Sequence, residues 1–215
     1  MIVVILGPPG SGKGTQAQRL SEKLNLAHIS AGDILRKAIA DRNDLGKRVK
    51  DIVESGRLVP DELVTEVVVN RLEGDNLRDN LILDGYPRTL GQARDLDSYL
   101  EKKGKCIDVA INLDTSNEEG EKRIRSRIVC SRCGENQSVT EESQKRTDEC
   151  TKCGAPLLQR EDDREEVIRE RLKNYHNHTK TLLDYYKEKG ILKQVNGEGD
   201  ISEIFSRLLQ VIEKQ

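Results

Sequence analysis

A glycine-rich segment near the start of the chain, residues 7–15 (GPPGSGKGT), constrains the fold more than any other stretch. It follows the β-forming run 2–6 and precedes residues 16–24, whose apolar side chains recur at helical spacing. The backbone N–H groups of such a turn, the N-terminus of the helix after it and the ammonium group of Lys13 all attract phosphate oxygens. A glycine-rich turn that binds nothing is the alternative, but the flanking strand and helix favour binding. We therefore predict that this loop binds a nucleotide.

Four further apolar runs predict strands, and helical patterns separate them along the chain. The five predicted strands span residues 2–6, 26–29, 80–85, 108–113 and 192–195. Strands that alternate with helices form a parallel sheet covered on both faces, so we predict an α/β fold around a five-stranded parallel sheet. Ligands of such sheets bind beyond the carboxyl ends of the strands. Gly7, Ser30 and Asp84 stand at such ends, and we expect them to converge.

Capping residues mark the starts of several predicted helices. Asp61 is expected to be the N-cap of a helix over residues 61–72. A polar residue followed three positions later by Glu or Gln predicts a reciprocal capping box, and this spacing occurs in the pairs Thr89/Gln92, Ser116/Glu119 and Asp200/Glu203. Continuous helices are predicted up to residue 127 and over 163–189. Two short helices between Ser30 and residue 55 are expected to form a small appendage on the core.

Asp84 is a candidate for magnesium binding. Residue 14 is Gly where Ser or Thr is usual, and Thr15 follows one position late, so the loop does not itself assign a magnesium ligand. Asp84 ends a buried strand three residues before Pro87, and magnesium in proteins keeps several waters while it uses one or two carboxylates and phosphates. We expect Asp84 to hold a magnesium-bound water; the alternative is a carboxylate that accepts bonds from loop N–H groups.

Four cysteines have the spacing Cys130-x2-Cys133-x16-Cys150-x2-Cys153. Two close pairs at such a separation are typical of a closed, four-thiolate structural zinc site. The segment between them has almost no apolar residue, so a metal would replace its core. Two disulfides or four free thiols are the alternatives, and iron fits the same ligands. Cys106 lies outside the pattern and is expected to be a small buried residue.

Arginine is the residue best suited to bind phosphate oxygens in pairs and to stabilise a transferring phosphoryl group. Seven arginines are candidates: Arg36, Arg57, Arg88, Arg123, Arg127, Arg160 and Arg171. A solvated surface position is the alternative for any of them on a helix. Arg88 stands out because it lies in the loop that follows Asp84. His28, His176 and His178 lack spacing that suggests catalysis, and no role is predicted for them.

Composition excludes several classes of protein. The formal net charge is −2, whereas dedicated nucleic-acid binders carry a basic excess, and 3% aromatic residues provide no stacking platform for single strands. No apolar run approaches the about 18 residues that a membrane span requires. The chain starts on a predicted strand without the basic region and apolar stretch of a signal peptide. We expect a cytoplasmic protein that binds neither nucleic acid nor membrane.

Taken together, the blocks resemble the adenylate kinase family, in the type with a long, zinc-bearing lid. The resemblance covers essentially the whole chain and rests on residues 7–15, 33–36, 83–89 with Gln92, the four cysteines, and 160–163 leading to Arg171. It implies the Mg²⁺-dependent reaction ATP + AMP ⇌ 2 ADP in a largely monomeric enzyme. It also implies a P-loop core (1–29, 60–125 and 164–215), an AMP-binding insertion (30–59) and a lid (126–163) stiffened by structural Zn²⁺.

The resemblance also implies roles for individual residues. On the ATP side it assigns Gly10, Ser11, Gly12, Lys13, Gly14 and Thr15 to the phosphates, Arg123 to the adenine, Arg127 to the phosphates, Asn136 and Gln137 to lid contacts, and Gly199 and Ile201 to the border of the adenine. On the AMP side it assigns Ala31, Arg36, Arg57, Leu58, Val59, Gly85, Tyr86, Pro87, Arg88 and, at the adenine edge, Gln92. The clamp on the phosphates of both substrates is Arg160 with Arg171. The implied catalytic groups are Lys13, Asp84, Arg88, Arg127, Arg160 and Arg171.

Two departures from the family keep a different acceptor open. Residue 31 is Ala where a hydroxyl residue is usual, and Ser-Ala-Gly at 30–32 is similar to UMP/CMP kinases. The lid segment after Cys133 also lacks its usual aromatic residues. A nucleotide-dependent switch is a second possibility, although no Asn-Lys-x-Asp stretch for guanine is present. A zinc-ribbon nucleic-acid module on an ATPase core is a third, but the charges of 130–153 form no basic stripe that would support it.

Overall fold

The structure is a computed structural model that describes residues 1–74, 80–138 and 149–213. Its centre is a five-stranded parallel sheet in the order β2-β3-β1-β4-β8. The strands of this sheet are β1 (Ile2–Leu6), β2 (Ala27–Ser30), β3 (Leu81–Asp84), β4 (Val109–Asp114) and β8 (Leu192–Asn196). The predicted α/β class and five-stranded parallel sheet are confirmed.

The strand register brings together the three chain positions that were predicted to lie at the ligand-binding end of the sheet. Ser30 pairs with Asp84 across β2 and β3, and Ile5 pairs with Asp84 across β1 and β3. Because Gly7 follows β1 directly, the glycine-rich loop starts beside Asp84. The expected convergence of these three chain positions is confirmed, since carboxyl ends of parallel strands share one edge of the sheet.

Nine α-helices surround the strands within the described residues. They are α1 (Lys13–Leu24), α2 (Ala31–Ala40), α3 (Asp44–Glu54), α4 (Asp61–Gly74), α5 (Leu90–Lys102), α6 (Asn117–Arg125), α7 (Glu165–Asn174), α8 (Lys180–Glu188) and α9 (Ile201–Ile212). None of these described helices combines the length and the hydropathy that a bilayer crossing requires. A short 3₁₀ turn, Glu161–Asp163, precedes α7, and the π-helical turn Tyr175–Thr179 joins α7 to α8.

Alternate residues of β1 point to opposite faces of the sheet and meet different helices. Val3 and Ile5 belong to the core that includes α1 and α9, whereas Val4 and Leu6 belong to the core that includes α4, α5 and α8. All four side chains are inaccessible to solvent or nearly so. Burial on both faces explains why the strands are continuous apolar runs, without polar alternation.

A second, antiparallel sheet carries the cysteine region. Its strands, in the order β6-β5-β7, are β5 (Arg127–Cys130), β6 (Asn136–Ser138) and β7 (Leu157–Leu158). Its core consists of Cys130, Cys150 and Ala155, with Cys153 and Leu157 packed against them. Residues 139–148 of the predicted lid lie outside the described residues.

Several local predictions were wrong. Asp61 is the first residue of α4 and not its N-cap, because the Val64 N–H donates to the Pro60 carbonyl. The predicted capping boxes at Thr89 and Ser116 are only half formed: each hydroxyl accepts its backbone N–H, but the Gln92 and Glu119 side chains bind other groups. At Asp200 the box is complete.

Three further corrections concern residues 126–127, the helix predicted over 163–189, and Cys106. Helix α6 ends at Arg125 and β5 begins at Arg127, so the predicted continuous helix to 127 is too long. The helix predicted over 163–189 is interrupted by the π-helical turn. Cys106 is exposed rather than buried, because it lies between α5 and β4, outside the regular elements.

Candidate active site

The glycine-rich loop curls around the ammonium group of Lys13. Lys13 Nζ donates to the carbonyls of Gly7 (2.7 Å) and Pro8 (2.8 Å). Gly10 and Gly12 have φ values of 80° and 89°, a left-handed conformation that favours glycine. A Cβ at Gly10 would also lie 2.1 Å from the carbonyl oxygen of Gly120, so no larger residue fits there. Helix α1 begins at Lys13, which places its N-terminus at the loop.

Burial makes Lys13 an unusually poor cation when no anion is bound. Its pKa is lowered to about 7, mainly by desolvation; Asp84 opposes the shift, and Arg88, Arg171 and Arg127 contribute to it. A phosphate group beside Nζ would stabilise the protonated form and raise the pKa again. The loop is therefore electrostatically matched to a polyanion.

Asp84 lies next to this loop, almost buried at 8% exposure. A Cβ on residue 14 would lie 3.3 Å from its Oδ2 atom, so glycine leaves room around the carboxylate. His28 Nε2 lies 3.7 Å from the same oxygen. No role was predicted for His28, because the parallel pairing of β2 and β3 that brings it to Asp84 has no signature in local spacing. The position of Asp84 fits a carboxylate that holds magnesium through water beside bound phosphates.

Two buried aspartates that the sequence analysis did not single out organise the arginines. Asp163 accepts hydrogen bonds from Arg127, at 2.9 Å from Nε and through a second short contact to Nη2, and from Arg171 Nη1 at 3.1 Å. Asp162 accepts from Arg171 at 3.2 Å and lies 3.6 Å from Arg36 Nη1. Both aspartates belong to the block 160–163, but only the fold shows that they bring three arginines together.

The remaining arginines of the cluster bind neutral oxygens or Asp33. Arg88 Nε donates to the Gly85 carbonyl at 2.9 Å, and Arg160 Nη2 donates to Asn136 Oδ1 at 2.7 Å. Arg36 donates to Asp33 at 2.6 Å. Arg88 and Arg160 therefore lie close to other cations, and within the described residues neither forms an ion pair with a carboxylate. Guanidinium groups in such surroundings favour binding of an anionic ligand.

The pKa shifts indicate that the cations of this cluster repel one another when no anion is bound. Burial lowers the pKa of Arg88 to about 10, with Arg171 adding to the effect. Burial likewise lowers the pKa of Arg160 to about 10, with Arg36 and Arg127 contributing. Phosphate oxygens would relieve this repulsion, so binding of phosphates is coupled to the charge of the site.

An open cavity lies between the arginines and helices α2, α3 and α4, with a volume of about 590 Å³ that includes solvent at its mouth. One part of its wall is apolar, and the other carries charged and amide groups. The lining residues are Ala31, Gly32, Leu35, Arg36, Val53, Gly56, Arg57, Leu58, Val59, Val64, Gly85, Arg88, Gln92, Asp162 and Arg171.

This cavity gathers most residues that the resemblance assigned to AMP. Tyr86, Pro87 and Arg160 are assigned residues that do not line it: Tyr86 is buried beneath, where its hydroxyl donates to the Gln92 carbonyl at 3.3 Å. The wall also includes the apolar residues Leu35, Val53 and Val64, for which no role in a ligand site was predicted. Their contact with the cavity depends on how three helices pack together.

A second cavity of about 530 Å³ connects the first to the glycine-rich loop. Lys13, Gly7, Pro9 and Pro87 line it, and five residues line both cavities: Gly56, Leu58, Gly85, Arg88 and Arg171. A ligand in the first cavity and phosphates on the loop would therefore face each other across Arg88 and Arg171.

Of the residues assigned to the ATP adenine, Arg123 lies on α6, Gly199 lies between β8 and α9, and Ile201 begins α9. Arg123 donates to Glu119 (2.7 Å) and to the Gly197 carbonyl (2.8 Å). Ile201 is exposed, and its carbonyl accepts from Gln16 Nε2 at 3.0 Å. Asn136 lies beside the arginine cluster, because its Oδ1 atom accepts from Arg160. The side chain of Gln137 lies outside what the structure describes.

The four cysteines form one cluster, with all Sγ atoms within 4.8 Å of one another. Cys130 and Cys153 Sγ are 3.4 Å apart, and Cys133 and Cys150 Sγ are 3.7 Å apart. A disulfide bond is about 2.05 Å long, whereas sulfurs around a tetrahedral zinc ion lie about 3.8 Å apart, given a Zn–S distance of about 2.3 Å. The separations fit a four-thiolate metal site and exclude disulfides in this structure.

Backbone donors support thiolate formation in this cluster. Cys130 Sγ accepts from the N–H groups of Cys133 and Arg132, each at 3.4 Å, and these bonds lower the pKa of Cys130, whereas the neighbouring thiols raise the pKa of Cys133. The Lys152 N–H donates to Cys150 Sγ in the equivalent turn, also at 3.4 Å. Thiolates are the form that binds metal, so the cluster can hold a metal ion.

Fold and site define a P-loop nucleotide-binding protein with a second, arginine-lined ligand cavity. The family model "Adenylate kinase" matches residues 5–191. Similar proteins named adenylate kinase include those of Archaeoglobus fulgidus (45% identity, 100% of this chain, 99% of the relative), Thermodesulfovibrio yellowstonii (45%, 100% and 100%) and Thermotoga neapolitana (44%, 98% and 96%). The chain belongs to the adenylate kinase family, which confirms the family predicted from the sequence.

Proposed function

We propose that the protein catalyses reversible transfer of a phosphoryl group from ATP to AMP, giving two ADP, with magnesium bound to the nucleotide phosphates. The chain is a nucleoside monophosphate kinase by family. The observation that carries the proposal is the pair of connected cavities, one at the glycine-rich loop and one at Gln92, with Arg88 and Arg171 lining both. A UMP/CMP kinase, the alternative raised by Ala31, is not favoured by the relatives.

On the ATP side, residues 10–15 hold the phosphates and Lys13 supplies a mobile positive charge. The curled loop, the helix N-terminus and the lowered Lys13 pKa support this assignment. Arg127 approaches the same phosphates from β5. Arg123, Gly199 and Ile201 border the adenine, and Asn136 and Gln137 contact ATP from the lid.

On the AMP side, the nucleotide occupies the 590 Å³ cavity with its phosphate toward Arg88. Arg36 and Arg171 contact the same phosphate group. The base lies toward Gln92 and the apolar wall. Tyr86, Pro87 and Arg160 do not line this cavity. They therefore act on bound AMP through neighbouring residues or from the edge of the cavity.

Transfer needs no covalent nucleophile on the protein. A phosphate of AMP placed opposite the terminal phosphate of ATP attacks in line, and the cations stabilise the charge that spreads over the transferring group. Asp84 would hold magnesium through water, and the ion would help to neutralise the phosphate charge. Closure of the lid over the phosphates excludes water, which would otherwise compete with AMP as the acceptor.

The chain divides into a core (1–29, 60–125 and 164–215), an AMP-binding insertion (30–59) and a lid (126–163). Helices α2 and α3 form the insertion, and the antiparallel sheet forms the described part of the lid. In this proposal the cysteine cluster binds structural zinc and keeps the lid rigid, so that it moves as one body. The active form is a monomer, since one chain supplies all the proposed contacts.

An acceptor panel tests the proposal: ATP and Mg²⁺ with AMP, CMP, UMP, GMP or dTMP, following ADP. We expect strong preference for AMP. Arg88→Lys should lower kcat/KM for AMP at least about tenfold, because an ammonium group cannot reproduce the planar two-point contact of a guanidinium group. Arg94→Lys, on the exposed surface of α5, is the matched control and should match the wild type. Transfer to no acceptor, or unchanged activity in Arg88→Lys, would contradict the assignment.

A further inference from the structure

The amide of Gln92 is buried and is held by two groups of opposite hydrogen-bonding character. Its Oε1 atom accepts from the Arg88 N–H at 2.7 Å, and its Nε2 atom donates to Asp61 Oδ1 at 2.8 Å. A carboxamide offers two donor and two acceptor positions. Among the described residues no other side-chain contact takes the remaining donor and acceptor, and Gln92 lines the first cavity. One N–H group and one oxygen lone pair are therefore available to a ligand there.

The two partners fix which end of the amide is which. The Arg88 N–H is only a donor, and the Asp61 carboxylate is only an acceptor. If the amide were rotated by 180°, its N–H groups would face the Arg88 N–H and its oxygen would face the carboxylate. Two hydrogen bonds would become two repulsive contacts, so the rotated form is strongly disfavoured.

Asp61 is itself held in place. Its Oδ2 atom accepts from the Thr89 hydroxyl at 2.5 Å. The carboxylate also fits closely over Gly91, where a Cβ would lie 2.8 Å from Oδ2. The Asp61 side chain does not cap α4. Its carboxylate instead binds Thr89 and Gln92 and packs against Gly91.

We propose that Asp61 is a positioning residue that sets base selectivity by fixing the orientation of the Gln92 amide. This inference rests on the proposed function. Adenine and cytosine present an exocyclic amino donor beside a ring-nitrogen acceptor, whereas hypoxanthine, guanine and uracil present an oxygen acceptor beside a ring N–H donor. An amide held in one orientation pairs with only one of these orders when the base is seated in one pose. The pocket therefore selects amino bases against keto bases of the same size.

AMP and inosine monophosphate form the sharpest pair of acceptors for a test. They have nearly the same shape and differ at the base edge by exchange of amino for oxygen and of acceptor for donor. In Asp61→Asn the side chain can face Gln92 with either its oxygen or its nitrogen, so the rotated amide has one repulsive contact, with the Arg88 N–H, instead of two. We expect the ratio of kcat/KM for AMP to that for inosine monophosphate to fall about tenfold.

Two further variants complete the test. Glu62→Gln removes a negative charge from the next, exposed position of α4 and should leave the ratio unchanged. Gly91→Ala keeps the Asp61 carboxylate but displaces it, and it should lower the ratio in the same direction even if Asp61→Asn does not fold. A purely structural role would lower kcat/KM for both acceptors together and leave their ratio intact.

The outcomes separate this inference from the proposed function. A ratio within twofold of the wild type in both Asp61→Asn and Gly91→Ala overturns the role of Asp61. A wild type that phosphorylates AMP and inosine monophosphate equally overturns the selectivity, while the proposed function stands. A wild type that phosphorylates neither AMP nor any other monophosphate removes the proposed function, and this inference with it.

Discussion

Asp163→Asn tests whether the buried carboxylate organises the arginines of the site. The Asp163 side chain is fully buried and binds Arg127 through two contacts and Arg171 through one. Asparagine keeps one acceptor oxygen, but its NH₂ group would face a guanidinium donor. Two largely buried cations would lose their shared counter-charge, and only Arg171 would keep a second carboxylate, Asp162. Breaking such a pair costs about 3–5 kcal/mol of the free energy of unfolding.

For a chain of this length each kcal/mol shifts the midpoint of thermal unfolding by about 2–4 °C. Asp163→Asn should therefore lower the midpoint by roughly 6–20 °C, measured by circular dichroism. Glu161→Gln, in the same 3₁₀ turn but exposed and paired with Arg164 at 3.7 Å, is the control and should shift it by about 1–2 °C. Tripolyphosphate should stabilise Asp163→Asn more than the wild type, because the freed arginines bind it. A midpoint within about 2 °C of the control would refute this account.

Two further predictions concern charge and metal. The pKa of Lys13 is about 7 without ligand, against an ordinary value of 10.5, so Lys13 is mostly neutral at pH 8. The phosphates of Mg-ATP favour the protonated form. Binding at pH 8 should therefore take up about one proton, and the affinity should fall as the pH rises. Calorimetry in buffers of different ionisation enthalpy measures this uptake, and Lys13→Met should abolish it; equal uptake in that variant would contradict it. A strong chelator should lower thermal stability more than activity at low temperature, because the cysteine cluster contains no proposed substrate ligand. Absence of both zinc and iron from protein purified without chelator would contradict the metal site.

Local patterns were sufficient for the features that depend on neighbouring residues. The glycine-rich loop needs only a strand, four glycines, a lysine and a helix in sequence, and all of these were found where predicted. The cysteine spacing likewise predicted the cluster, since the two members of each pair are separated by two residues. The apolar runs predicted the sheet, because strands buried on both faces leave no polar alternation.

Predictions failed where a side chain had two possible partners and the nearer in sequence was assumed. Gln92 was expected to accept from the N–H of Thr89, the N-cap of its own helix, but it accepts from the Arg88 N–H and donates to Asp61, which is 31 residues away. Asp61 was expected to cap α4, but its carboxylate binds Thr89 and Gln92 on α5 and its N-cap. Short-range capping competes with tertiary hydrogen bonds of similar strength, and only the packing of α4 on α5 decides between them.

By itself, the sequence determined the parallel sheet, the glycine-rich loop, the cysteine cluster and the family, because each depends on residues close together in the chain or on their order. The tertiary structure decided which charges meet: His28 beside Asp84, and Asp162 and Asp163 among the arginines. It also decided that Gln92 has a fixed orientation. These contacts join residues from different elements, and a side chain's charge or hydrogen-bonding capacity does not specify a partner until packing brings one within reach.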